Sequence, residues 1–319
     1  MPAARVRPPR LRPGSRVALV APSGPLLERD ELARGEELCR ALGFAPLLGR
    51  YAGARHGYLA GTDEERSADF NAALRDPAVD AIWCLRGGFG ATRILDRLDL
   101  EALARQPKAI IGFSDITAIL NAVSRATGLV TFHGPSARSS LSAFTRGPLE
   151  RALTVAEPGG RLPRVVPPAG VLVPTAGRIV TLRGGQAEGP LWGGNLCLMQ
   201  CLIGTRHFPD LDGAILFLED VDEKLYAVDR MLAHLRMVGA LDRLAGAAIG
   251  RFTLMERHTQ YGALGLDEVL DTYFGPLGIP VAHGFPIGHI DDQWTLPLGV
   301  RARLDAGAGE LELLEPAVA

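Results

Sequence analysis

The chain has 319 residues, 47% of them hydrophobic and 22% charged, with a formal net charge of -2. At roughly 100–200 residues per domain this favours two domains, and the composition excludes disorder, collagen and coiled coil as whole-chain descriptions. So even a charge balance leaves no basic footprint for nucleic acid or an anionic membrane, and neither is expected as a partner.

Residues 1–15 carry Arg5, Arg7, Arg10 and Arg12 among prolines. No apolar run of about 7–15 residues follows, so a disordered or extended tail is expected there and a secretory signal is not. From 16 to 148, short apolar runs alternate with amphipathic stretches, the pattern of βαβ units around a mostly parallel sheet. Residues 17–21 read as the first strand, followed by the turn Pro22-Ser23-Gly24-Pro25 and a helix with Leu27, Leu38 and Leu42 on its apolar face. Thr62-Asp63-Glu64-Glu65 is a capping box that opens a helix running to about Arg75. Residues 81–85 and 109–111 read as buried strands, ending in Arg86-Gly87-Gly88-Phe89-Gly90 and Gly112-Phe113-Ser114-Asp115. Ligands of open α/β sheets bind at the carboxyl ends of strands, so these two turns mark a candidate site.

Five prolines and Gly159-Gly160 between 149 and 175 read as a Pro-rich linker. Residues 176–319 then form a smaller, mixed-sheet α/β domain. It should contain a strand near 179–182, a glycine turn, a helix after Asn195 and a strand over 214–218. A helix from about Leu225 follows, with Leu225, Val228, Leu232, Leu235 and Val238 three and four apart, and then strands near 247–249 and 300–304. The apolar runs are strand-sized, which predicts no membrane-spanning helix. Cys39, Cys84, Cys197 and Cys201 include no C-x-x-C and suit buried thiols in a reducing compartment, so the cytoplasm is the expected location.

Ser114 joins an apolar strand to a helix beginning at about Ile116, the setting of a nucleophile elbow, although the fifth position of G-x-S-x-G is Ile116. The same position also suits a helix N-cap. The Arg86-Gly87-Gly88 turn could supply an oxyanion amide or cradle a phosphate, but it lacks a P-loop lysine. Glu219 follows the apolar run 214–218 and could orient a histidine. His289, preceded by Gly288, is the candidate base, with His133, His207 and His283 as rivals. His283, His289, Asp291 and Asp292 match no standard metal-ligand spacing, so neither metal nor cofactor is expected.

Taken in order, these segments resemble the LD-carboxypeptidase family of serine peptidases. The resemblance is carried by Gly61-Thr62-Asp63-Glu64-Glu65-Arg66, Cys84 to Arg93, Gly112 to Thr117, Gly193-Gly194-Asn195-Leu196, Leu218-Glu219-Asp220 with Asp229-Arg230-Met231-Leu232, and Gly288-His289 before Leu296-Pro297-Leu298-Gly299. It implies a triad of Ser114, His289 and Glu219, and an oxyanion hole from the Asp115 amide with Gly88 or Gly87. It also implies an interdomain cleft, a homodimer, and a murein tetrapeptide substrate that loses its terminal D-alanine in peptidoglycan recycling. Arg86 or Arg251 would hold the substrate carboxylate, and Trp192 and Asn195 are further candidate substrate contacts. Two alternatives remain: a microcin-immunity type hydrolase of peptidyl-nucleotide or acyl-sulfamate amides, and a non-catalytic protein that binds peptide or anion in the same cleft.

Overall fold

The computed structural model describes residues 5–166, 170, 173, 177–255 and 264–319. The first half contains β1 (Arg16–Val20), α1 (Glu31–Ala41), β2 (Ala45–Leu48), α2 (Asp63–Arg75), β3 (Ala81–Cys84), α3 (Leu100–Arg105), β4 (Ala109–Gly112), α4 (Thr117–Thr127), β5 (Phe132–His133) and α5 (Ala143–Thr154). The second half contains β6 (Gly160–Arg161), β7 (Val180–Arg183), β8 (Gln186–Asn195), α6 (Leu196–Leu202), β9 (Ile215–Val221), α7 (Leu225–Met237), β10 (Gly246–Ile249) and β11 (Phe252–Thr253). It ends with α8 (Leu266–Phe274), β12 (Val281–His283), β13 (Leu296–Pro297), β14 (Arg301–Asp305) and β15 (Glu310–Leu313).

The first sheet runs in the order β13-β5-β4-β3-β1-β2 and is parallel except for β13. Its central strands β3, β4 and β5 are buried on both faces, as continuous apolar runs in a parallel sheet should be, and the edge strand β2 is only partly covered. Val17, Leu19, Trp83 and Ile111 feed one core, while Ala18, Val20, Ile82 and Ile110 feed another. That second core continues through Ile119 of α4 and Leu196 of α6 to Phe217 of β9, so one apolar mass joins the two halves of the chain. The second sheet is mixed, ordered β6-β15-β14-β8-β9-β10-β12-β7, with β11 alongside β9. β8, β9, β10 and β12 are parallel, as is β11 with β9, and β6, β7, β14 and β15 are antiparallel to their neighbours.

The structure alters several expectations. Residues 149–154, placed in the linker, are the second half of α5, whose Ser142 side chain caps it by accepting from the Thr145 amide. Residues 167–169, 171, 172, 174 and 175 of that stretch lie outside the described residues. Residues 5–15 are extended and packed: Leu11 is buried, Val6 bridges Leu129, and Arg10 donates to the Ala319 carbonyl. Leu27 precedes α1, which begins at Glu31. The glycine turn before Asn195 is the strand β8, and β9 continues past 218 to Val221 because β11 pairs with its end. The capping box forms, with Thr62 and Glu65 each accepting the other's backbone amide. Among the described residues no helix is long and apolar enough to cross a membrane.

Candidate active site

β3 and β4 lie side by side, so the turns that follow them meet at one sheet edge. After β4 the backbone turns sharply at Ser114, which holds a φ of 62°, a left-handed conformation that costs a non-glycine residue energy. The short 3-10 turn Ser114–Ile116 then leads into α4, and no side chain caps it. The serine is therefore presented to the cleft, and the N-cap reading of Ser114 is not what the structure shows. A Cβ on Gly87 would lie 2.7 Å from Ser114 Cβ and 3.2 Å from the Asp115 nitrogen. Only glycine lets this turn come so close to the hydroxyl and the Asp115 amide. Gly88 sits on the other side of the turn, against Gly24.

The Asp115 carboxylate points away from the cleft. It accepts from the Ser23 hydroxyl and, at 2.8 Å, from the Ala91 amide, and burial pushes its pKa up. Arg66, also buried, donates from one nitrogen to the Pro22 carbonyl at 2.5 Å and to the Gly90 carbonyl at 2.8 Å. Three turns are thus tied together behind the serine, by residues whose scaffolding role the sequence did not reveal. The signal for Arg66 was its place one turn into a capped helix, where an arginine can reach back towards the preceding loops.

Opposite Ser114, Glu219 emerges from β9 fully buried, beside Asn195 of β8. Its Oε2 lies 2.8 Å from His289 Nδ1, and His289 Nε2 lies 3.0 Å from Ser114 Oγ. A carboxylate only accepts, so Nδ1 carries the proton and Nε2 is left to accept from the serine hydroxyl. Gly288, at a φ of 116°, permits this approach, because a Cβ there would stand 2.7 Å from Glu219 Oε2. Phe113 lies against the His289 ring with 4.8 Å between centroids. Beside His289 a cavity of about 290 Å³ is lined by Phe113, Ser139, Ser140, Thr145, Asp291 and Gln293, among others.

The rival histidines are occupied or enclosed elsewhere. His207 pairs with Asp96 at 2.9 Å, and His283 Nε2 stands 3.1 Å from Asp267, off the angle of a hydrogen bond. His133 is buried in the first sheet. His283 and Asp292 face different partners, the latter Ser142, and the described residues hold no cluster of three or more potential metal-ligating side chains. Arg86 begins the Gly87 turn and donates to the Pro25 carbonyl, and burial lowers its pKa. Arg251 donates to the Arg178 carbonyl at 3.1 Å.

Two candidate contacts are corrected. Asn195 is buried and its amide is spent on Asp220 Oδ1, at 2.7 Å, and on the Leu198 amide, which makes it the cap of α6. Trp192 is buried beneath the Arg5 guanidinium, 4.7 Å away, beside a cavity that includes Arg125 and Asp210 but none of Ser114, Glu219 or His289. Asp220 is pushed up to about 6, first by burial and then by the neighbouring Glu219.

The sequence matches the LD-carboxypeptidase N-terminal domain over residues 17–134 and the LD-carboxypeptidase C-terminal domain over residues 188–304. It is 35% identical to the murein tetrapeptide carboxypeptidase of Pseudomonas aeruginosa, over 91% of this chain and 93% of that one. The fold is similar to the microcin C7 self-immunity protein MccF, with a TM-score of 0.88 at 26% identity, covering 98% of this chain and 100% of that one. It is also similar to the muramoyltetrapeptide carboxypeptidase of Oxalobacter formigenes, with a TM-score of 0.80 at 32% identity, covering 94% and 98%. A serine on a strained turn at the edge of a parallel sheet, facing a histidine bound to a carboxylate of a second, mixed sheet, accompanies both domain matches, and the chain belongs to the LD-carboxypeptidase family of serine peptidases.

Proposed function

We propose that the protein is a serine-type LD-carboxypeptidase that removes the terminal D-alanine from murein tetrapeptides in the cytoplasm, acting as a homodimer in peptidoglycan recycling. The observation that carries this reading is the hydrogen-bonded line from Glu219 through His289 to Ser114. Residues 16–148 deliver the nucleophile, and residues 176–319 deliver the histidine and the acid. Ser114 Oγ attacks the scissile carbonyl while His289 Nε2 takes its proton. Glu219 fixes the tautomer and stabilises the imidazolium. The Asp115 amide and that of Gly88 or Gly87 receive the oxyanion, one such donor being worth about 3–4 kcal/mol. The C–N bond breaks as Nε2 returns the proton to the D-alanine nitrogen, and water then hydrolyses the acyl-serine. Arg86, one residue from the oxyanion turn, holds the terminal carboxylate.

A second reading is favoured by the higher TM-score to MccF, which has been solved with aspartyl sulfamoyl adenosine: hydrolysis of a peptidyl-nucleotide or acyl-sulfamate amide. One set of assays separates the two. Monomeric tetrapeptide, its C-terminal amide, the pentapeptide and a peptidyl acyl-sulfamoyl adenosine are incubated with the enzyme and the products read by mass spectrometry. Loss of one D-alanine from the tetrapeptide is expected. Amidation or extension should lower kcat/KM at least about tenfold to a hundredfold, since the carboxylate's partners are left unpaired. Preferred cleavage of the nucleotide analogue overturns the first reading. A purely binding protein would fail to label with a fluorophosphonate.

A further inference from the structure

His133, on β5, is fully buried, and neither of its ring nitrogens has a hydrogen-bond partner among the described residues. A neutral imidazole carries one N–H, and buried donors in folded proteins are almost always paired. The matching gap is on Glu219. Its Oε2 accepts from His289, whereas its Oε1 is equally buried and has no partner.

Packing brings the two together. The His133 ring stands edge-on to Phe217, with 5.3 Å between centroids, and Phe217 and Glu219 are two apart on β9 and leave it on the same face. The His133 ring also meets Phe113 at 6.2 Å, and Phe113 lies against His289. Contacts thus run from Phe217 through His133, Phe113 and His289 to Glu219, which shares its face of β9 with Phe217. Glu219 and His289 are the titratable groups that bear on His133. Asp220 turns to the opposite side, held by Asn195 and the Cys197 amide. Thr295 Oγ1, buried and also without a partner, lies against Gly134, the residue after His133.

We propose that His133 is a positioning residue for the reaction: through one ordered water its N–H supplies the hydrogen bond of Glu219 Oε1, which keeps Oε2 directed at His289. Thr295 Oγ1 gives that water a third polar contact. The proposal rests on the Ser114-His289-Glu219 reading. A donor on Oε1 fixes the rotation of the carboxylate and draws electron density from it. Without that donor, the carboxylate holds the Nδ1 proton more tightly, and the imidazole reaches its neutral, active form only at higher pH.

The test is the pH profile of kcat and kcat/KM on the tetrapeptide for wild type, H133F, H133N and H133Q, with S114A alongside. H133F should lower kcat about tenfold, leave KM nearly unchanged and move the acidic limb of kcat/KM up by about half a pH unit. Asparagine places an amide N–H near the Nδ1 position and glutamine near Nε2, and one of them should return the limb towards wild type. A uniform loss in H133F with an unmoved limb, or no recovery in either amide variant, overturns the proposal. If H133F does not fold, imidazole nitrogen NMR of the wild-type protein decides. A hydrogen-bonded His133 N–H whose signal shifts in E219Q supports it, and a ring free of hydrogen bonding overturns it. Undiminished activity in S114A would instead overturn the triad reading itself.

Discussion

Four acids crowd one stretch of chain, Glu219, Asp220, Asp222 and Glu223, and their surroundings sort them. Glu219 lies inside a paired strand and touches His289, whereas Asp222 is exposed beyond the end of β9. E219Q should lower kcat by about 10³–10⁴-fold, because an amide cannot hold the imidazole in one tautomer, and D222N should stay close to wild type. Steady-state kinetics on folded variants check this ranking. His133 adds a stability prediction. Burial pushes its pKa from 6.5 down to about 4, with Glu219 opposing and His289 adding a little. Between those values the unfolded chain binds a proton that the native chain does not. The neutral ring's stabilisation is therefore complete above about pH 6.5 and is lost as pH falls towards 4, by up to about 3 kcal/mol. Urea unfolding of the wild type should steepen in this window relative to H133N, and parallel curves would contradict it. Strand ends and a neighbouring glycine made Ser114, Glu219 and His289 candidates, and the family resemblance singled them out from their rivals. His133 was not singled out, since a lone histidine in a two-residue strand has no pattern around it.

Among the elements, the turn after β3 is the most demanding. Its Gly87 faces Ser114 so closely that G87A must push either the serine or its own backbone aside, a displacement of the kind that costs about 10²-fold in kcat. Thermal unfolding should change far less than activity, and a variant with wild-type kcat would show that the turn has slack. Strands with a continuous apolar run, β1, β3, β4 and β10, could be read directly from the sequence. β8 could not: Gly189, Pro190, Gly193 and Gly194 are turn residues by local preference, and only pairing with β9 and β14 makes them a strand. The second half of α5 reads as linker in the sequence, with Gly147 and Pro148 in the middle of the helix obscuring its period.

At the scale of the molecule, the site exists only where the two halves meet, and the family match spans both. Activity should survive prolonged chelation, since none of the triad contacts passes through a metal, and a loss restored by zinc would contradict the triad reading. The antiparallel strand β13 has a further consequence. It lies only a few residues after His289, yet it pairs with β5 and so forms the outer edge of the first sheet. A chain growing from its N-terminus therefore waits until residue 297 has left the ribosome before that edge is capped. Ala319 then bonds back to Pro8 and Arg10. A fragment of residues 1–166 should consequently stay less stable than the intact protein and associate through the bare β5 edge, visible as concentration-dependent light scattering. Ser114 is synthesised 175 residues before His289, so on the proposed reading a nascent polypeptide carries the serine long before it has anything to deprotonate it.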